Sequence, residues 1–134
     1  MELILIRGLP GSGKSTYAKK MGCFHIEADM YHYKDRKYEF DSSRAILAHK
    51  WCQKMTMFAM EQGIDVAVSN TFTQAWEIKP YLDMAAETGH KVRIIRMSND
   101  YGSVHNIPSG VMQKMRERFE NIAGEEIKYY VSGV

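Results

Sequence analysis

No aliphatic run in the sequence exceeds four residues, the stretch Leu3-Ile4-Leu5-Ile6. That is far short of the ~20 apolar residues a membrane-spanning helix needs, so no membrane partner is expected. Only two cysteines occur, Cys23 and Cys52. They are isolated and lack metal-ligand spacing, which excludes a disulfide framework and reads as reduced thiols in a cytoplasmic protein. Met1 leads almost directly into the first apolar run, leaving no room for a signal or transit segment. The net charge is +2 with 25% charged residues, too small to announce a nucleic-acid binder by bulk electrostatics. Repeats, linkers and low-complexity tracts are also missing. What remains, at 134 residues and 45% hydrophobic, is room for one soluble globular domain with one core, spanning 1–134.

Against these absences one stretch stands out. Gly8-Leu9-Pro10-Gly11-Ser12-Gly13-Lys14-Ser15 fills every fixed position of G-x-x-x-x-G-K-[ST], the phosphate-binding loop. Its glycines let successive backbone N–H groups turn inward around a phosphate, at angles a Cβ forbids. Lys14 can reach the β/γ-phosphates as a mobile charge, and the Ser15 hydroxyl can ligate Mg²⁺. The helix that begins there, with Thr16 in its first turn, adds free donors and a favourable dipole. The apolar run before the loop suits a strand buried on both faces. Strand, glycine loop and helix together imply an ATP-type ligand held by Gly11, Ser12, Gly13, Lys14, Ser15 and Thr16.

The rest of the chain alternates in the same way. Gly22 is expected to end the first helix, and Cys23–Ala28 reads as a second strand closing at Asp29. Residues 30–41 are aromatic and charged with no apolar period, which predicts an exposed, mobile loop. Ser42 and Ser43 are candidate caps of a helix running to about Gln62, with Leu47, Trp51, Met55 and Phe58 as its buried stripe. Ile64–Ser69 is the third predicted strand, ending at Asn70-Thr71. Gln74–Thr88 reads as helix, with Pro80 predicting a kink or a short first piece. Lys91–Met97 is the fourth strand. Ser98–Pro108 is polar and irregular, and Ser109–Asn121 is a basic helix with Val111, Met112, Met115 and Phe119 inward. Ile127–Val131 is either an edge strand or an extended tail. The order β-α-β-α-β-α-β-α predicts a three-layer α/β domain with a parallel sheet of four or five strands. Ligands then bind beyond the carboxyl ends of the strands, where the phosphate loop, Asp29, Asn70-Thr71 and the segment after Met97 converge.

Asp29 separates the possible chemistries. A carboxylate at the end of the strand after the first helix can face the γ-phosphate and accept a proton from an incoming hydroxyl, as a phosphotransferase requires. Its alternative role is a turn cap. Other parts are missing: no hhhhD magnesium aspartate ends the third strand, where Asn70 stands, and no [NT]-K-x-D base-recognition motif occurs. A large remodelling ATPase needs more chain. His25 and His49 are lone histidines without carboxylate or cysteine partners at ligand spacing.

GLPGSGKSTYAKK, HIEADMYH, VAVSNTFT and VHNIPSGVMQKMRERFE resemble, in order, the polynucleotide 5′-hydroxyl kinase branch of P-loop kinases. The likeness is closest to its small phage and bacterial ATP-binding proteins and runs to about Glu120. It implies ATP and Mg²⁺ as cofactors, Asp29 as general base toward a 5′-hydroxyl of DNA or RNA, and Lys14 and Ser15 as phosphate and metal ligands. It also implies residence in the cytoplasm, the host's if phage-encoded. His32 falls where better-studied members carry an arginine that grips a substrate phosphate, and Asn70 replaces an aspartate while Thr71 is kept. The acceptor side would be lined by Tyr31, His32, Arg36, Asn70 and Thr71. Tyr31, Tyr33 or Tyr38 could stack on a base while Lys34, Arg36 or Lys37 touches phosphate, or the tyrosines could anchor the loop. Those enzymes place arginines in the lid after the fourth strand, and Ser98–Pro108 holds none. Arg36 or Arg116 is the favoured substitute, and His105 could add a hydrogen bond. Two other readings stay open: a kinase of a small acceptor such as a nucleoside or sugar, and a non-catalytic ATP-binding module.

Overall fold

The computed structural model describes residues 1–34, 37–39, 41–98 and 109–129. Its elements run β1 (Glu2–Arg7), α1 (Lys14–Lys20), β2 (Phe24–Ile26), a 3₁₀ turn (Ala28–His32), β3 (Tyr33–Lys34), β4 (Lys37–Tyr38), α2 (Ala45–Glu61), β5 (Val66–Asn70), α3 (Ala75–Thr88), β6 (Lys91–Met97), α4 (Ser109–Arg118) and β7 (Glu126–Lys128). Five strands form one sheet in the order β2-β5-β1-β6-β7, and every pairing in it is parallel. β7 is the edge strand that the tail sequence left undecided.

β1 lies at the centre and is buried from Leu3 to Arg7. Because side chains alternate across a strand, Leu3 and Leu5 join one core cluster with Val66, Val68, Ile78 and Tyr81. Ile4 and Ile6 join a second, on the opposite face, with Ala18, Ala67, Ile95 and Met97. Helices α2 and α3 cover the first face and α1 the second, which gives the expected three-layer α/β architecture.

Three local expectations are corrected. On α2 the buried positions are Ala48, Cys52, Thr56, Ala59 and Met60, while Leu47 is 49% and Phe58 64% exposed. The helical period was right but its phase was shifted. Small side chains let the helix axis approach the sheet and the 3₁₀ turn, and the larger ones are left to flank the contact. Neither Ser42 nor Ser43 caps α2, which follows Arg44 without a side-chain cap. Asp41 instead caps the short 3₁₀ turn Ser42–Arg44 that precedes the helix, its Oδ1 accepting from Ser43 N at 3.0 Å and Ser43 Oγ at 2.6 Å. Pro80 does not divide α3, which is one helix from Ala75 to Thr88. A reciprocal capping box between Gln74 and Glu77 secures its first turn, and the carbonyl that Pro80 leaves without an amide belongs to exposed Trp76. Finally, residues 28–39 are not irregular throughout. The 3₁₀ turn leads into a two-stranded hairpin pairing Tyr33 with Tyr38 and Lys34 with Lys37, closed by Glu39 N donating to His32 O at 2.8 Å.

One buried charge ties the sheet to its loops. Arg7, fully buried at the end of β1, donates through Nε (3.0 Å) and Nη2 (2.8 Å) to Phe72 O, and through Nη1 to Glu125 Oε1 (2.7 Å). Its guanidinium also lies 4.2 Å from the Phe119 ring centroid. Burial pushes the Arg7 guanidinium down from its ordinary value, and the hydrogen bond and charge of Glu125 oppose this. Phe72 has φ 43°, a left-handed conformation that costs a bulky residue ~1–3 kcal/mol and that these two bonds to its carbonyl help hold. Removing one member of a buried pair leaves the other uncompensated. Arg7→Ala is therefore expected to cost ~3–5 kcal/mol of stability, read as a lower midpoint in urea unfolding, whereas the exposed pair Lys79–Asp83 should contribute under ~1 kcal/mol.

Candidate active site

The phosphate loop begins one residue after Arg7. Gly11 and Gly13 adopt φ 81° and 87°, which a Cβ would strain. At Gly8 an added Cβ would collide with Ser12 Oγ and stand 3.0 Å from the Met97 carbonyl. The loop is closed by Ser12 N donating to Leu9 O at 3.1 Å, and joined to α1 by Tyr17 N donating to Gly13 O at 3.0 Å. Ser12 Oγ is buried and has no hydrogen-bond partner among the described residues. Thr16, in the first turn of α1, is exposed.

Lys14 is partly buried, and its Nζ donates to Leu9 O at 3.5 Å. Desolvation lowers its pKa from the ordinary lysine value, while the charges of Glu27 and Asp29 act in the opposite direction. A desolvated cation beside an orphaned hydroxyl and a glycine-built turn is a donor set that fits a polyphosphate. Among the described residues no group of three or more His, Cys, Asp or Glu could hold a metal by itself.

The neighbouring strand ends are cross-linked to this loop. Gly8 N donates to Thr71 O at 3.3 Å, putting Thr71 directly beside it. Ser15 Oγ donates to Glu27 Oε2 at 2.6 Å, and Ser69 Oγ donates to the same oxygen at 2.8 Å. His25 Nε2 lies 2.6 Å from Ser69 Oγ and 3.7 Å from Glu27 Oε2, so His25 has the carboxylate neighbour that the sequence reading denied it. Two residues apart in extended backbone, His25 and Glu27 share a face. That spacing was the signal available, and it was missed.

Asp29 is exposed on the 3₁₀ turn and, by its charge, acts on Lys14. Two residues expected to line the acceptor side are placed elsewhere. Asn70 is 6% exposed; its Oδ1 accepts from Ala28 N at 2.9 Å and its Nδ2 faces Cys52 Sγ at 3.7 Å. The amide thus fixes the backbone next to Asp29 and is not turned outward. His32 is 7% exposed, its ring edge-on to Tyr31 at 6.0 Å; an imidazole is short enough to be packed where an arginine would emerge. Tyr31 is partly buried, 6.0 Å from Trp51, and its hydroxyl accepts from Arg44 Nη2 at 2.7 Å. These contacts tie Tyr31 to Trp51 of α2 and bring in Arg44, an exposed cation the sequence did not single out.

Of the arginines near the lid, Arg93 is bidentate to Glu126 (2.9 and 3.0 Å), and Arg96 donates to Asn121 Oδ1 at 2.6 Å. Arg118 Nε reaches Thr73 Oγ1 at 3.4 Å. Arg116 is exposed on α4. Arg36 and His105 lie outside the described residues, as do 99–108 of the predicted lid. No described helix is long and apolar enough to cross a membrane, and both cysteines are free.

A family profile described as an AAA domain matches residues 3–100. NEDD4-binding protein 2 of Homo sapiens is 38% identical over 98 residues, which is 69% of this chain but 6% of that protein. A sugar kinase from Janibacter sp. HTCC2649 superposes with a TM-score of 0.65 at 13% identity, covering 97% of this chain and 84% of the other. A chain of the Pnkp1/Rnl/Hen1 RNA repair complex superposes with a TM-score of 0.67 at 14% identity, covering 88% of this chain and 43% of the other. At such identities the two structures speak for the fold alone. The profile match over most of the chain, on the phosphate loop and parallel sheet just described, makes the chain a member of this AAA-domain family, with a kinase-like P-loop fold.

Proposed function

We propose that the protein transfers the γ-phosphate of ATP to a hydroxyl, and that this hydroxyl is the 5′-OH of a polynucleotide. The P-loop kinase fold implies ATP and usually Mg²⁺, and Ser12, Lys14, Ser15 and the loop amides are the groups that would receive the phosphates. The observation that carries the reading is Asp29, a solvent-facing carboxylate whose charge acts on the phosphate-binding lysine and whose backbone is pinned by Asn70 through Ala28.

In the proposed step the acceptor oxygen bonds to the γ-phosphorus and the bond to the β–γ bridging oxygen breaks. The hydroxyl proton passes to Asp29, and ADP leaves. Mg²⁺, when bound through Ser15, would offset phosphate charge. Lys14 follows the charge that moves onto the bridging oxygen.

For the acceptor, Tyr31 and Arg44 present an aromatic–cation pair beside Asp29, with guanidinium and ring 4.9 Å apart. Such a pair suits a base and its phosphate, and Tyr33 on the adjoining hairpin is 58% exposed. The fold-level likeness to a chain of an RNA repair complex agrees with a nucleic-acid end. The likeness to a sugar kinase keeps a small acceptor as the second reading. Arg116 and Arg36 are the proposed cations near the transferred group, with His105 a further donor.

Labelled γ-phosphate should move from ATP to 5′-OH oligonucleotides with wild type. Asp29→Ala should lose about 10²- to 10⁴-fold in rate while still binding ATP. Lys14→Ala should lose both transfer and ATP affinity. Label that reaches only small sugars or nucleosides would replace the polynucleotide acceptor, and ATP binding without transfer to any hydroxyl would remove the kinase reading. Oligonucleotide affinity should fall steeply with salt, and less steeply in Arg44→Gln. Gly8→Ala should fold, because its closest collision is with the Ser12 hydroxyl of the loop and the Met97 carbonyl of β6 need give only slightly, yet bind ATP at least about tenfold more weakly (~1.4 kcal/mol) in calorimetric titration.

A further inference from the structure

The metal site implied by the loop is short of one part. P-loop enzymes hold the ion with the loop's Ser or Thr and with an aspartate at the end of the adjacent strand, and here that strand, β5, ends in Ser69 and Asn70. Asn70 is turned toward Ala28 N–H and Cys52. A carboxylate nevertheless arrives from one strand further out. β2 is the neighbour of β5 on the side away from β1, and Glu27, just past its end, reaches across Ser69 to Ser15.

The hydrogen-bond directions in this cluster are fixed by proton count. Ser15 and Ser69 each have one hydroxyl proton, and both are directed to Glu27 Oε2, at 2.6 and 2.8 Å. Ser69 Oγ must then accept from His25 Nε2, 2.6 Å away, which fixes the imidazole as the Nε2–H tautomer. Ser15, its proton committed to Glu27, keeps both lone pairs for a cation. The Glu27 side chain is 19% exposed, so its charge is felt more strongly than that of a fully solvated carboxylate.

We propose that Glu27 is the positioning residue for the divalent ion that accompanies the triphosphate. Its carboxylate orients the Ser15 hydroxyl toward the ion and supplies the negative charge that the end of β5 lacks. The role rests on the ATP-binding part of the proposed function but not on the identity of the acceptor. It differs from a purely structural pin between β2 and β5 in one respect: a pin would stabilise the protein equally with and without the ion.

The test is calorimetric titration of ATP into wild type and Glu27→Gln, each in Mg²⁺ and in EDTA, with thermal unfolding of both proteins recorded. Gln keeps the size and one acceptor oxygen but removes the charge. Mg²⁺ is expected to tighten ATP binding to wild type. In Glu27→Gln that enhancement should fall on the order of 10- to 100-fold, with affinity in EDTA unchanged. Full retention of the enhancement overturns the proposal, and so does an equal loss of affinity in Mg²⁺ and in EDTA, which marks a structural pin. Should Glu27→Gln not fold, Glu27→Asp against Glu27→Asn poses the same contrast of charge and no charge at equal size. Wild type that binds ATP without any effect of Mg²⁺ overturns this inference alone, whereas wild type that binds no ATP overturns the proposed function with it.

Discussion

A buried guanidinium sets the geometry from which the site is built. Arg7 ends the central strand, and the phosphate loop starts at the next residue. Whatever fixes Arg7 therefore fixes where the loop leaves the sheet. Its donors are taken by the Phe72 carbonyl and by Glu125, and its face by the ring of Phe119. A buried charge costs several kcal/mol unless all of its partners are in place. The same requirement therefore locks together three stretches distant in sequence: the start of the loop, the left-handed turn at Phe72 and the segment carrying Phe119 and Glu125. Arg96 lies on the other side of the problem, 4.6 Å from the same Phe119 ring and 3.7 Å from Glu125, so the segment carrying Phe119 and Glu125 is held by two cations as well as by the packing of Ile122 against the core.

The strand ends are joined by polar groups of a kind that cannot slip. Thr71 O holds Gly8 N, Asn70 Oδ1 holds Ala28 N, and Glu27 collects the hydroxyls of Ser15 and Ser69. Each bond has a direction, so the ends of β1, β2 and β5 keep their spacing without a ligand. Preorganisation of this kind lowers the cost of assembling a charged transition state. Asp29, exposed, is carried on backbone that the network holds still through Ala28.

Much of this was legible along the chain because its causes are local. The loop needs glycine at stated positions, the parallel strands need continuous apolar runs, and α3 ends where Gly89 adopts the left-handed conformation that glycine alone takes without strain. The failures share a cause as well. Leu47 and Phe58 were expected inside by their three- and four-residue spacing, but the contact made by α2 selects Ala48, Cys52 and Ala59 because the helix lies close. Asn70 and His32 were placed toward an acceptor by position in the chain. The fold turns both inward, since an amide can satisfy a lone backbone N–H and an imidazole can be packed. Ser42 and Ser43 do not cap α2, because they lie in a 3₁₀ turn that Asp41 caps ahead of the helix.

The sequence by itself determined the elements, their order, the phosphate loop and the presence of a carboxylate at the end of β2, all consequences of spacing within about a dozen residues. Only the tertiary structure decided which distant groups meet. Arg7 and Glu125 are separated by 118 positions, and Ser69 reaches Glu27 across 42. Neither pair has a periodicity to betray it. Their meeting depends on which strands become neighbours in the sheet, and that follows from burying both faces of β1 at once. The charge beside Ser15 therefore comes from Glu27, one strand away from where the linear motif would have put it.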